Sequence, residues 1–122
     1  MCSYNSINGV PSCANSFLLQ DQLRTKWGFK GYVTSDSGAI KDISDQHFYT
    51  PDLESACVAA VSSGCDMESA PWKSGQPWAT DGPYEEYLPG AVEKGTLSQQ
   101  ALDAAVTHTL GLRFRLGLFD PI

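Results

Sequence analysis

Apolar residues along this chain fall into short clusters and into longer stretches that repeat every three or four positions. Two clusters, Gly31 to Ser35 and Cys65 to Glu68, are bounded by glycine or polar residues and read as buried strands. Cys2 to Ser6 is shorter and reads as the remains of a third, with Asn8, Gly9 and Pro11 turning the chain after it. Between the first two strands, Phe17, Leu18, Leu23 and Trp27 form an apolar stripe at helical spacing, capped by Asn15 or Ser16 and closed by Gly28. Thr50, Pro51 and Glu54 make a second helix start, with Thr50 as cap. The Ala-rich helix that follows, Asp52 to Ser62, turns Leu53, Cys57, Val58 and Val61 inward and stops at Gly64. A long polar loop is expected up to Tyr49, and another, rich in Pro, Gly and Trp, from Ser69 to Pro83. Two helices complete the pattern, Tyr84 to Lys94 and Ser98 to Leu116, the second with Leu102, Ala105, Val106, Leu110 and Phe114 on one face.

Strand, helix, strand, helix, strand is the order of parallel βαβ units, so the expected class is α/β. The length, 122 residues, is that of one small domain, and 42% hydrophobic content is enough for a core. No repeat, low-complexity tract or second domain is visible. A complete (β/α)8 barrel takes roughly 200 to 250 residues, so a barrel of that kind is represented only in part. A net charge of −6 argues against a nucleic-acid partner. No apolar run reaches membrane-spanning length, and the first residues lack a basic segment followed by an apolar one.

The chemistry concentrates in Gly31 to Ile40, GYVTSDSGAI. Asp36 ends the apolar run, and the C-terminal ends of parallel strands are where ligands bind. It is therefore a candidate nucleophile, although by spacing alone most strand-end Asp residues only cap or turn the chain. Asp66 and Glu68 occupy alternate positions of the next strand, and Asp66 reads as structural or secondary. The four cysteines contain no CxxC pair, so neither a metal nor a redox cofactor is expected. Cys2 and Cys13 flank the turn NGVPS and are the disulfide candidate, while Cys57 and Cys65 read as small buried hydrophobes. His108 reads as a solvated or packed helix residue.

MCSYNSINGVPSCAN, GYVTSDSGAI, SSGCDME and LRFRLGLFDP follow one another in an order that resembles glycoside hydrolase family 3, and most of all its β-xylosidase and arabinofuranosidase branch. The resemblance spans essentially all 122 residues. It implies a single partial domain over 1–122, the C-terminal portion of a TIM barrel with about its last three strands, from a truncated or excised sequence. It implies that Asp36 is the nucleophile of a retaining O-glycosyl hydrolase that frees β-linked monosaccharides, xylose first and glucose second, from non-reducing ends. Retention needs a second carboxyl group about 5 to 5.5 Å away. In this branch that group comes from a later domain, so the chain alone is expected to be inactive and prone to aggregate. Tyr4 matches a tyrosine lining the sugar subsite, and His47 a histidine in the loop after the nucleophile strand; each also reads as an ordinary packed or surface residue. Trp72 and Trp78 are candidates to stack on sugar rings or to pack their own loop. The family's sugar-clamping arginine and Lys-His pair are absent. A cysteine is also expected after the nucleophile and another near Glu68 to Ala70, where this chain has Ser37 and Ser69. If those positions face each other, both halves of a bridge have been replaced. The implied partners are a glycoside or oligosaccharide substrate and the remainder of the parent enzyme, in an extracellular setting and without a cofactor. The rivals are a non-catalytic remnant of such an enzyme, or a redox or metal protein using the cysteines.

Overall fold

The computed structural model describes residues 1–69 and 82–121, so the expectations for Trp72 and Trp78 lie outside the described residues. The chain opens with an antiparallel hairpin, β1 (Ser6–Ile7) and β2 (Val10–Pro11). Asn8 and Gly9 turn it with φ of 54° and 79°, the pair of positive angles that an Asn-Gly two-residue turn supplies. A 3-10 turn, Ser12–Ala14, leads into a π-helix at Phe17–Lys26. Four α-helices follow: α1 (Ala39–Asp45), α2 (Leu53–Ser63), α3 (Pro83–Glu93) and α4 (Gln99–Arg115).

The three expected strands survive as a parallel arrangement of very short segments. Cys2 bridges Ser35, and Thr34 bridges Met67, both in parallel. The rungs are Cys2 N–H to Thr34 O (2.9 Å), Asp36 N–H to Cys2 O (2.9 Å) and Ser35 N–H to Met67 O (2.8 Å). The segment carrying Asp36 is thus the middle of three. Strands as long as Cys2–Ser6, Gly31–Ser35 and Cys65–Glu68 do not form, because residues 6 and 7 leave to make the hairpin and the middle segment turns at Ser37 and Gly38. The result is an α/β chain that is mostly helical with little sheet.

Helix α2 is the centre of the core. Its residues Ala56, Cys57 and Ala60 are completely buried, and it packs against α1, α3, α4 and the first helix. Its cap is Asp52, whose carboxylate accepts from Ser55 N–H at 2.7 Å, rather than Thr50, which instead bonds Asp52 O through its hydroxyl. Gly64 ends it with φ of 100°. Helix α1 replaces part of the loop expected before Tyr49. Its apolar residues Ala39, Ile40 and Ile43 are all buried against α2, each isoleucine contributing about 1.5–3 kcal/mol of burial.

Two apolar stripes do not pack as their spacing suggests. The first helix is wound with i→i+5 hydrogen bonds, Trp27 N–H to Gln22 O at 3.0 Å among them, and a wider turn takes a 3.6-residue stripe off one face. Only Leu19 is buried there, while Phe17 and Trp27 are exposed. On α4 only Ala105 is buried, and Val106, Leu110 and Phe114 face outward. Among the described residues no helix is long and apolar enough to cross a membrane.

Candidate active site

Asp36 leaves the middle segment half-buried, with its backbone still on the Cys2 rung. The next two residues turn the chain sharply. Gly38 takes φ of 79°, a left-handed angle that a side chain would strain, and α1 begins at once. This tight reversal aims Ser37 N–H back at Asp36 Oδ1, 2.8 Å away. Ser37 is tied on its other two sides as well. Its carbonyl accepts from the Tyr4 hydroxyl at 2.8 Å, and its hydroxyl lies 3.4 Å from that of Ser69 at the end of the third segment. The two serines that stand where a cysteine pair is expected therefore face each other. His47, just beyond α1, places Nε2 2.7 Å from Tyr4 O, so the loop after the middle segment is pinned to the first segment.

Tyr4, Asp36, Ser37, His47 and Ser69 are thus drawn to one end of the parallel segments. The Tyr4 phenol is held above its ordinary pKa by desolvation, then by the charge of Asp36 and hydrogen bonding to it. Trp72 lies outside the described residues. The arrangement offers a half-buried carboxylate with one oxygen steadied by a backbone amide and a phenol beside it. Such a group can attack an electrophilic carbon or hold a developing positive charge.

The neighbouring carboxylates are placed otherwise. Asp66 is buried and saturated: Arg24 Nη2 pairs with Oδ2, Val33 N–H donates to the same oxygen at 2.7 Å, and His108 Nδ1 sits 2.8 Å from Oδ1. His108 is therefore a hydrogen-bond partner of Asp66, not simply a solvated or packed helix residue. Arg24, which also donates to Gly31 O at 2.9 Å, went unnoticed in the sequence, since 42 residues separate it from Asp66 and no local pattern links them. Glu68 is a third case. Its Oε1 accepts from Tyr84 N–H at the start of α3 (3.2 Å), its Oε2 is buried without a partner among the described residues, and burial pushes its pKa up to about 7. A Cβ at Gly82 would collide with this carboxylate, so a larger residue at the entry to α3 would require the Glu68 side chain to move.

The larger cavities described open elsewhere. One of about 280 Å³ lies among Val61, Leu88, Leu102, Ala105 and Leu110. Another of about 600 Å³ lies among Phe29, Tyr32, Thr34 and Leu112. Neither is lined by Asp36, Tyr4 or His47. Cys2 and Cys13 are joined by a disulfide, and Cys57 and Cys65 are buried free thiols whose pKa burial pushes up to about 12 and about 11.

Comparison with known proteins gives this geometry a context. The model of the glycosyl hydrolase family 3 N-terminal domain matches residues 1–112. The chain is 39% identical over 124 aligned residues to the exo-1,4-β-xylosidase bxlB of Emericella nidulans, covering 99% of this chain and 15% of that protein. It is 40% identical over 122 residues to the periplasmic β-glucosidase of Salmonella typhimurium, covering 99% of this chain and 14% of that one. Its fold is similar to that of a β-glucosidase from Erythrobacter marinus, with a TM-score of 0.83, 31% identity, and coverage of 97% of this chain and 14% of the other. The chain spans about one seventh of the length of these relatives.

Proposed function

The chain belongs to glycosyl hydrolase family 3, and from that premise we propose that it is the nucleophile-bearing part of a retaining β-glycosidase domain. The three parallel segments then correspond to about the last three strands of a partial TIM barrel, with Asp36 at the C-terminal end of the middle one. The observation that carries the reading is the setting of Asp36: half-open, one oxygen held by Ser37 N–H, with the Tyr4 phenol beside it. In the proposed first step Asp36 attacks the anomeric carbon, the bond to the aglycone oxygen breaks, and the aglycone departs with a proton from an acid group. Water then attacks the same carbon and releases the sugar with its configuration kept. Tyr4 lines the sugar subsite, His47 fixes the loop over it, and Trp72 is proposed to stack on a sugar ring.

Xylose is the first choice of sugar and glucose the second, in line with the xylosidase and glucosidase among the relatives. The periplasmic relative supports a setting outside the cytoplasm. The second carboxyl group is assigned to the remainder of the parent enzyme, so the 122-residue chain by itself is expected to lack turnover.

An activated 2-deoxy-2-fluoro-β-xyloside, which forms the glycosyl-enzyme but hydrolyses it slowly, tests this in the whole polypeptide that contains the chain. The expected product is one fluorosugar on Asp36, and Asp36→Ala should lose at least about 10³-fold in turnover. A fluorosugar on another carboxylate, or an Asp36→Ala enzyme that retains turnover, overturns the assignment.

A further inference from the structure

The disulfide has a third sulfur against it. Cys65 Sγ lies 3.5 Å from Cys2 Sγ, and the sulfurs of Cys2, Cys13 and Cys65 are buried and within 4.8 Å of one another. The parallel pairing explains how residues 63 positions apart meet. Cys2 bridges Ser35 on one side of the middle segment and Thr34 bridges Met67 on the other, which brings the start of the third segment under the first. Cys57, on α2, is not part of the cluster.

We propose that Cys2, Cys13 and Cys65 form an internal thiol–disulfide exchange site, at which the bridge passes from Cys2–Cys13 to Cys2–Cys65. The Cys65 thiolate attacks Cys2 Sγ, the sulfur it touches, after a side-chain rotation that brings it into line with the Cys2–Cys13 bond. The new Cys2–Cys65 bond forms as the Cys2–Cys13 bond breaks, the electron pair leaves on Cys13 Sγ, and Cys13 takes up the proton that Cys65 released. Nothing is oxidised or reduced overall, so no outside reagent is required.

The exchange changes what braces the candidate nucleophile segment, whose Asp36 N–H rests on Cys2 O. With Cys2 bonded to Cys13, the first segment is tied to the turn Ser12–Ala14 and the hairpin before it. With Cys2 bonded to Cys65 it is tied across to the third segment, and the turn is released. The site stands on sulfur geometry alone and does not depend on the role given to Asp36.

Rate is limited by ionisation, because burial holds the Cys65 thiol up to about 11. The groups facing it are Tyr84 from α3, whose hydroxyl donates to Cys65 O at 3.0 Å, and the adjacent Asp66. Exchange should therefore be slow at neutral pH and quicken about tenfold per pH unit below the thiol's pKa.

Tryptic mapping without reduction reads the outcome directly. Cys2 and Cys13 share the peptide 1–24, and Cys57 and Cys65 share 42–73, so only exchange joins the two peptides. The native chain held at pH 9 with iodoacetamide should accumulate the joined peptide, with Cys65 as the linked residue by fragmentation and Cys13 alkylated. The same chain at pH 7 should do so about 100-fold more slowly. Cys65→Ser should abolish the joined peptide and keep Cys2–Cys13. In Cys13→Ser, oxidised glutathione should close Cys2–Cys65 with release of two reduced glutathiones. The proposal is overturned if no joined peptide forms at pH 9, if Cys13→Ser keeps Cys2 and Cys65 as thiols or glutathione adducts, or if Cys57 is the linked residue, which would mark pairing in an unfolded chain.

Discussion

Asp36 and Asp66 belong to adjacent parallel segments, yet Asp66 sits under three donors, two of them on cationic or titratable side chains, while Asp36 keeps a half-open carboxylate steadied by one backbone amide. Burial with matched partners makes a carboxylate a tie between elements: Asp66 joins the first helix through Arg24, the middle segment through Val33, and α4 through His108. Both oxygens of such a group are committed to partners within the fold. A carboxylate held on one side only gives little to stability and remains available for chemistry. The contrast separates a structural acid from a candidate nucleophile without reference to any relative.

The strongest way to break the contrast is to remove Asp66. Asp66→Ala leaves the Arg24 guanidinium buried beside an empty place, with its Nε already unpartnered among the described residues. The expected loss is about 3–5 kcal/mol, read from urea unfolding followed by circular dichroism. Because the pair is buried, the loss should persist in high salt. A loss under about 1 kcal/mol would mean that Asp66 is no tie, and the distinction would collapse.

Glu68 sharpens the contrast as a carboxyl group with one oxygen buried and no cation against it among the described residues. Its folded pKa of about 7 lies above the ordinary value of 4.5, so the protonated acid is the form the fold favours. The contribution to stability is full below about pH 4.5 and is lost as pH rises through 7. After allowance for solvent screening, the fall between pH 5 and pH 8 should be on the order of 1–2 kcal/mol. Glu68→Gln should flatten that slope in unfolding measured across the range; an unchanged slope would assign it to another group.

Asp52 is the exposed counterpart, a cap whose pKa is lowered by its hydrogen bond from Ser55 N–H. Its contribution is present above the ordinary carboxylate range and is lost as pH falls through the lowered folded value. Asp52→Ala should cost about 1 kcal/mol near neutrality and progressively less in acid. Equal unfolding midpoints at pH 7 would show that the cap contributes nothing.

What the sequence discloses follows the range of the interactions. Helices α2, α3 and α4 are readable because their punctuation is local: Gly64 closing one, Pro83 opening the next, Ser98 capping the last through Ala101 N–H. Helix α1 hides because seven residues hold only three apolar ones, although Ile40 and Ile43 have the right spacing. The end of the middle segment at Asp36 is readable from the β-branched run before it. The apolar faces of the first helix and α4 mislead, since periodicity reports that a stripe exists and not that this chain covers it. Arg24, Asp66 and His108 stand 42 residues apart in each direction, and Cys65 stands 63 from Cys2. Only the parallel pairing brings those groups together, and it leaves no trace in local sequence.

The smallest expected effect is the sharpest test of the open carboxylate. Asp36→Asn keeps an oxygen to accept from Ser37 N–H and removes only the charge. If Asp36 contributes no essential contact to the fold, the stability of the variant should stay within about 0.5 kcal/mol of the parent. The Tyr4 phenol provides an independent reading in the same protein. Desolvation and the Asp36 charge both hold its pKa up, so removing the charge should lower it toward the ordinary tyrosine value without reaching it, followed by phenolate absorbance. A variant that unfolds as readily as Asp66→Ala would make Asp36 a second structural tie. A stable variant with an unmoved Tyr4 would mean that the phenol and the carboxylate do not share one site, and the proposed sugar subsite would lose its second member.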